Sequence, residues 1–211
     1  MKRRDFLSTT AAALTFAAFG GPVLAQDAPA VPDMVLGNPD AKVTVIEYAS
    51  FTCPHCRNFA GDQFKQIKAN YIDTGLVKFI FREVYFDRFG LWASMIARCG
   101  GDMRFFGITE MLFERQTEWA AGEPAAIAAN LRAIGKSAGL DDASLDACMA
   151  DADQAQALVN WYEENRQADN IEGTPQFKVQ DVKYSNMSYE EFAKVLDEAL
   201  IAAGVEAPKS E

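Results

Sequence analysis

Val43-Thr44-Val45-Ile46-Glu47-Tyr48-Ala49, followed by Ser50-Phe51-Thr52-Cys53-Pro54-His55-Cys56, decides the fold. The first seven residues are a near-continuous apolar, β-branched run, the pattern of a buried central strand. A C-x-x-C follows at once, and Arg57 to Ile72 continues with helical character. Pro54 suits the first turn of that helix, where its missing N–H costs nothing. Val77 to Phe86 reads as a second strand. Strand, cysteine loop, helix and strand make a βαβ unit with a right-handed crossover.

Residues 88 to 170 contain no convincing strand. They divide into helical pieces at Leu91–Cys99, Met103–Gln116, Pro124–Ser137, Ala143–Met149 and Gln154–Asp169, with Gly100-Gly101, Gly122 and Gly139 between them. Strand signals resume at Gln176 to Tyr184, and Ser188 to Ala203 reads as a last helix in which Ser188 and Glu191 form a capping box. The simplest architecture is a small α/β fold divided by a helical insertion. Trp92, Met95, Ile96, Phe105, Phe106 and Trp119 are expected in its core. Arg98, Arg104 and the acidic run Asp151–Asp153 are expected on solvated faces. Arg82 and Glu83 are a weak candidate for an ion pair near the cysteines.

The chain has 211 residues, 49% apolar and 11% aromatic, which is enough for a sizeable core and rules out a disordered or fibrous protein. Twenty Lys and Arg against 30 Asp and Glu leave a net charge of −10, which argues against nucleic-acid backbones and anionic membrane surfaces as partners. A single histidine excludes a multi-histidine metal site.

Residues 1–25 read as a secretory signal. Lys2, Arg3 and Arg4 form a basic start, Phe6 to Phe19 is an apolar stretch too short to span a bilayer, and Val23-Leu24-Ala25 fits a small-x-small cleavage site. Arg3-Arg4-Asp5-Phe6-Leu7 is similar to a twin-arginine signal, with an ordinary Sec signal as the alternative. Cleavage after Ala25 would leave a soluble mature chain in the periplasm, where disulfides persist. Residues 26–39, rich in Ala, Pro and Asp, read as a linker, and 204–211 as a tail.

In that compartment the four cysteines are redox groups first. At the start of a helix, the partial positive charge and free N–H groups favour a thiolate at Cys53. Cys56, one turn inside, is the shielded resolving thiol. His55 is expected to donate a hydrogen bond, or a charge when protonated, to the Cys53 sulfur. Whatever stabilises the reduced thiolate makes the disulfide a stronger oxidant. The alternative, a zinc knuckle, needs two further ligands at matching spacing, and Cys99 and Cys148 form no second C-x-x-C.

Phe51-Thr52-Cys53-Pro54-His55-Cys56 after a strand, the long helical insertion, and Gly173-Thr174-Pro175-Gln176-Phe177 together resemble the DsbA family of periplasmic thiol:disulfide oxidoreductases, over roughly residues 34 to 203. The resemblance implies a thioredoxin fold made of 40–87 and 171–203, with an inserted all-helical subdomain at 88–170. A depressed cysteine pKa and an oxidising potential come with the family. It also implies that Thr174-Pro175 is a cis-proline loop lying against the cysteines, and that Glu47 is a buried acid beneath the active-site helix, able to relay a proton to or from Cys56. The family's hairpin after that proline usually turns on Asn-Gly, whereas this chain has Val179-Gln180-Asp181-Val182. Thiols in an oxidising compartment tend to pair, and some alphaproteobacterial relatives carry a second disulfide in the helical domain. Cys99 and Cys148 are therefore expected to close a structural disulfide, the alternative being two buried free thiols.

The expected activity is that of a dithiol oxidase donating the Cys53–Cys56 disulfide to folding exported proteins with free cysteines. Reoxidation would fall to a membrane quinone-linked partner resembling DsbB. No metal or organic cofactor is expected. A disulfide isomerase or reductase of the DsbC, DsbG or ScsC kind is the nearest alternative. Such enzymes usually oligomerise through an N-terminal segment, and the short one here favours a monomer. A protein using Cys53 and Cys56 as soft-metal ligands is a more distant alternative.

Overall fold

The computed structural model describes residues 30–208. Five strands form one sheet: β1 (Met34–Gly37), β2 (Val43–Ala49), β3 (Val77–Glu83), β4 (Gln176–Val179) and β5 (Val182–Ser185), in the order β1-β3-β2-β4-β5. The central pair β2 and β3 is parallel, in register from Val43↔Val77 to Ala49↔Glu83, and the other pairings are antiparallel. Between β2 and β3 run α1 (Pro54–Gly61), α2 (Gln63–Ile67) and a π-turn over Lys68–Ile72. The insertion carries α3 (Arg88–Cys99), α4 (Asp102–Glu114), α5 (Gln116–Trp119), α6 (Pro124–Ser137), α7 (Asp142–Ala150) and α8 (Ala152–Ala168), and α9 (Tyr189–Ala202) closes the fold. This is the thioredoxin fold with a helical insertion.

Side-chain alternation along β2 sorts the two faces of the sheet. Val43, Val45 and Ala49 enter the main core with Phe59 of α1 and Phe192 of α9. Ile46 and Tyr48 point to the other face, where they meet Tyr162 of α8 and Ile171. Glu47 belongs to the first set by the same alternation, so the strand's period alone places a carboxyl in the apolar core. Helix starts follow local chemistry: the Asp87 carboxylate accepts from Phe89 N at 2.8 Å and Gly90 N at 2.9 Å, and the Ser188–Glu191 capping box is present at α9.

Several expectations need correction. The segment read as a linker supplies β1, paired with β3 from Met34↔Phe81 to Gly37↔Lys78. Asp33, just before it, grips Arg82 with both carboxylate oxygens at 2.8 and 2.9 Å. Gln176 to Tyr184 is two strands, turned at Gln180 in the left-handed region (φ 52°). Gln180 holds that turn by accepting from Thr44 N and donating to Lys42 O, both at 3.0 Å, which does the work an Asn-Gly pair does elsewhere. The supposed tail folds back, with Val205 and Ala207 packed on the core.

Arg98 is buried, not solvated, and it forms a bidentate pair with Glu83 at 2.6 and 2.7 Å. Arg82 and Glu83 do not pair with each other. They point to opposite sides of β3, Arg82 reaching Asp33, Asp169 and the Tyr48 hydroxyl. Asp151 is exposed but serves as the N-cap of α8. Trp119, Phe105, Met95 and Ile96 are core as expected, while Trp92 and Phe106 are partly buried against it. Cys99 and Cys148 are disulfide-bonded, with Cα atoms 5.9 Å apart, joining the ends of α3 and α7. The signal and its cleavage site lie outside the described residues.

Candidate active site

β2 delivers the chain into Ser50-Phe51-Thr52, and Cys53 becomes the N-cap of α1 with Pro54 at its first position. Cys53 N donates to Ser50 O at 3.1 Å, which tightens the loop. Both Cys53 and Cys56 are free thiols. From the far end of the chain, the cis Thr174–Pro175 bond brings Thr174 O to 3.5 Å from Cys53 Sγ. Cys53, Pro54, His55, Cys56, Thr174, Pro175 and Glu47 are thus gathered around one helix start.

Hydrogen bonding sets the two thiols apart. The Cys56 thiol donates to Cys53 and is the largest influence holding Cys53 down to about 5. Burial opposes this, and the Thr174 hydroxyl and the backbone N–H groups of Cys56 and His55 reinforce it. That hydroxyl has no hydrogen-bond partner of ordinary geometry among the described residues, so it can turn toward the sulfurs. Cys56 is fully buried and pushed far up, first by burial, then by its bond to Cys53 and the nearby Glu47 charge. Cys53 therefore ionises and Cys56 stays protonated. In the reduced protein, thiolate absorbance near 240 nm should titrate with a midpoint of about 5, and Cys53→Ser should remove that step. A midpoint near the ordinary 9 would show that the helix start does not act on the sulfur.

Glu47 is 3% exposed, and burial and then the Cys53 charge raise its carboxyl to about 8. It is therefore largely neutral at pH 7, and its Oε1 has no hydrogen-bond partner among the described residues. His55 departs from expectation. Its imidazole is exposed and makes no hydrogen bond to Cys53 among the described residues; the backbone N–H does the donating. An N–H at the helix start is fixed by the fold, whereas an exposed ring is not.

Gln116 was not anticipated. It is 4% exposed, and its Nε2 donates to Phe51 O at 2.8 Å and to Cys53 O at 3.0 Å. The insertion therefore fixes the backbone of the cysteine loop. A lone glutamine at the end of a helical pattern gives no hint of this, because its partners lie more than 60 residues away. Thr52 was missed likewise; its Oγ1 donates to Asp87 at 2.8 Å, tying the loop to the start of α3.

A dithiol at a helix start on this sheet, facing a cis-proline, defines a thioredoxin-type redox protein. The family model described as Thioredoxin matches residues 30–198, and the chain belongs to that family. Among solved structures it is similar to Wolbachia pipientis alpha-DsbA1, with a TM-score of 0.75 and 28% identity over 83% of this chain and 94% of that one. It is also similar to oxidised Bacillus subtilis BdbD, with a TM-score of 0.71 and 27% identity over 80% and 93%. These likenesses place it with the DsbA-type members. A Rickettsia bellii protein, provisionally named a protein-disulfide oxidoreductase, is 32% identical over 169 residues, 80% of this chain and 64% of the relative. The chain spans less than two thirds of the length of such curated relatives.

Proposed function

We propose that the protein is a periplasmic dithiol oxidase that gives its Cys53–Cys56 disulfide to folding exported proteins. The observation that carries this reading is the opposed behaviour of the two thiols, Cys53 held down to about 5 while Cys56 is buried and pushed far up. A stabilised Cys53 thiolate favours the reduced enzyme, and so drives oxidation of the substrate.

The cycle balances in two exchanges. A substrate thiolate attacks Cys53 Sγ, the Cys53–Cys56 bond breaks, and the electron pair moves to Cys56. Glu47, largely neutral at pH 7, would give that sulfur its proton. A second substrate thiolate then attacks the substrate's own sulfur in the mixed disulfide, and Cys53 departs as a stable thiolate. The substrate has lost two electrons and the enzyme has gained them. The Thr174-Pro175 loop, against Cys53, is where a substrate backbone would lie. No metal or organic cofactor enters the cycle, a membrane quinone-linked reoxidase of the DsbB type would restore the disulfide, and the enzyme would act as a monomer.

The test is the equilibrium of Cys53–Cys56 against glutathione, with Cys99 and Cys148 left paired. An oxidase should show a potential well above the roughly −270 mV of thioredoxin. A thioredoxin-like value would overturn the reading and point to an isomerase or reductase kept reduced by a membrane donor.

A further inference from the structure

Between α1–α2 and α4, a cleft of about 860 Å³ opens onto the face of the sheet that carries Glu47. Its size falls within the range of small-molecule sites. Phe64, Phe79, Phe81, Phe106 and Phe113 form its walls, with the Phe64 and Phe79 ring centroids 5.0 Å apart. Two buried polar side chains line it without partners. Glu47 is 3% exposed and Thr109 is 7% exposed, and neither Glu47 Oε1 nor Thr109 Oγ1 is hydrogen-bonded among the described residues. Such atoms are costly to leave unpaired and are scarce in native proteins. Gly61 and Gly107 also line the cleft, and a Cβ added at either would meet no atom within 4 Å. Around the cleft, Arg57, Lys65 and Lys68 are offset by Asp62, Glu110 and Glu114, so neither sign of charge is selected.

We propose that this cleft binds a small uncharged aromatic molecule bearing a hydroxyl, a phenol in chemical class, with its ring among the phenylalanines and its hydroxyl toward Glu47 and Thr109, either of which would turn its unpartnered oxygen to meet it. Aromatic rings gain from offset and edge contacts with such walls. A hydroxyl both donates and accepts, which matches a carboxyl oxygen and a threonine hydroxyl. An ionised ligand would have to shed its hydration in an apolar cleft facing a largely neutral acid, so the uncharged form is selected. Occupancy would be felt at the redox site, since the Cys53 charge acts on Glu47 and the Glu47 charge on Cys56. The site stands whichever way electrons flow at Cys53, and does not rest on the oxidase reading.

Titration of the reduced full chain with 2-naphthol, followed by calorimetry, tests it. One saturable site is expected, with a Kd on the order of 0.1 mM. Gly107→Leu fills the cleft from a helical position with a better helix former, so it should fold normally and weaken binding at least about tenfold. Thr109→Val keeps the shape and removes the hydroxyl, and should weaken binding about fivefold. Absence of saturable binding, or equal affinity in wild type and both folded variants, would overturn the proposal. So would preferential binding of an apolar peptide of residues 6–19, which would make the cleft a chain-docking groove.

Discussion

Cys53→Ser and Cys56→Ser should each abolish oxidation of a dithiol peptide, while Cys56→Ser, mixed with the disulfide form of that peptide, should be caught as a covalent adduct through Cys53. The asymmetry comes from the surroundings of each sulfur. Cys53 sits at the helix start beside Thr174 O and is the sulfur a partner can reach, whereas Cys56 is fully buried. With Cys53 held down to about 5, it should leave the mixed disulfide faster than an unperturbed thiol would. Single-turnover fluorescence of a dithiol peptide reads the first loss, and mass spectrometry under non-reducing conditions reads the adduct. Turnover surviving in Cys53→Ser would remove the site from the mechanism. An adduct formed through Cys56 in Cys53→Ser would reverse the assignment.

The largest effect on stability is expected at a buried ion pair. Arg98 and Glu83 form a bidentate pair whose side chains are 6% and 1% exposed, and Arg98 also donates to Pro32 O at 3.1 Å. Its guanidinium lies 5.2 Å from the Trp161 ring. Three parts of the chain therefore converge on one cation: β3, the segment before β1, and α8. Arg98→Met leaves the Glu83 carboxylate buried without its partner, at a cost of about 3–5 kcal/mol. For a domain of this size that lowers Tm by about 6–20 °C. Adding Glu83→Gln should recover part of the loss, because the orphaned charge is then gone. Calorimetric melting of the three proteins checks both points, and a shift within about 1 kcal/mol for the single variant would show the pair to be solvated.

Much of this was legible in the chain, for reasons that differ by element. The apolar run at Val43–Ala49 and the C-x-x-C after it work locally, through strand burial and a helix start, so their reading needs no distant partner. Ser188 and Glu191 are legible for the same reason. Glu47 became readable only through likeness to a family, since one acid in a strand is ambiguous without knowing which face is covered. β1 was missed because four residues after a Pro- and Asp-rich stretch carry too little pattern to stand out. Arg98 was misread because an arginine in the last turn of a helix is a normal solvated residue until a carboxylate is found opposite it. Gln116 was invisible because its partners are backbone carbonyls, which leave no trace in composition or spacing.

The Gln116 contact bears on timing during synthesis. The cysteines leave the ribosome long before the residues that condition them: Gln116 follows Cys56 by 60 positions and Thr174 follows it by 118. At about 5–20 residues per second, the interval to Thr174 is about 6–24 s. Throughout that window Cys53 has neither its loop braced nor its sulfur faced by Thr174, and keeps only what its near neighbours Cys56 and His55 supply. The cysteine site is complete only when Thr174, in the last fifth of the sequence, has arrived and packed against Cys53. The order of the residues thus separates the making of the dithiol from the completion of its surroundings.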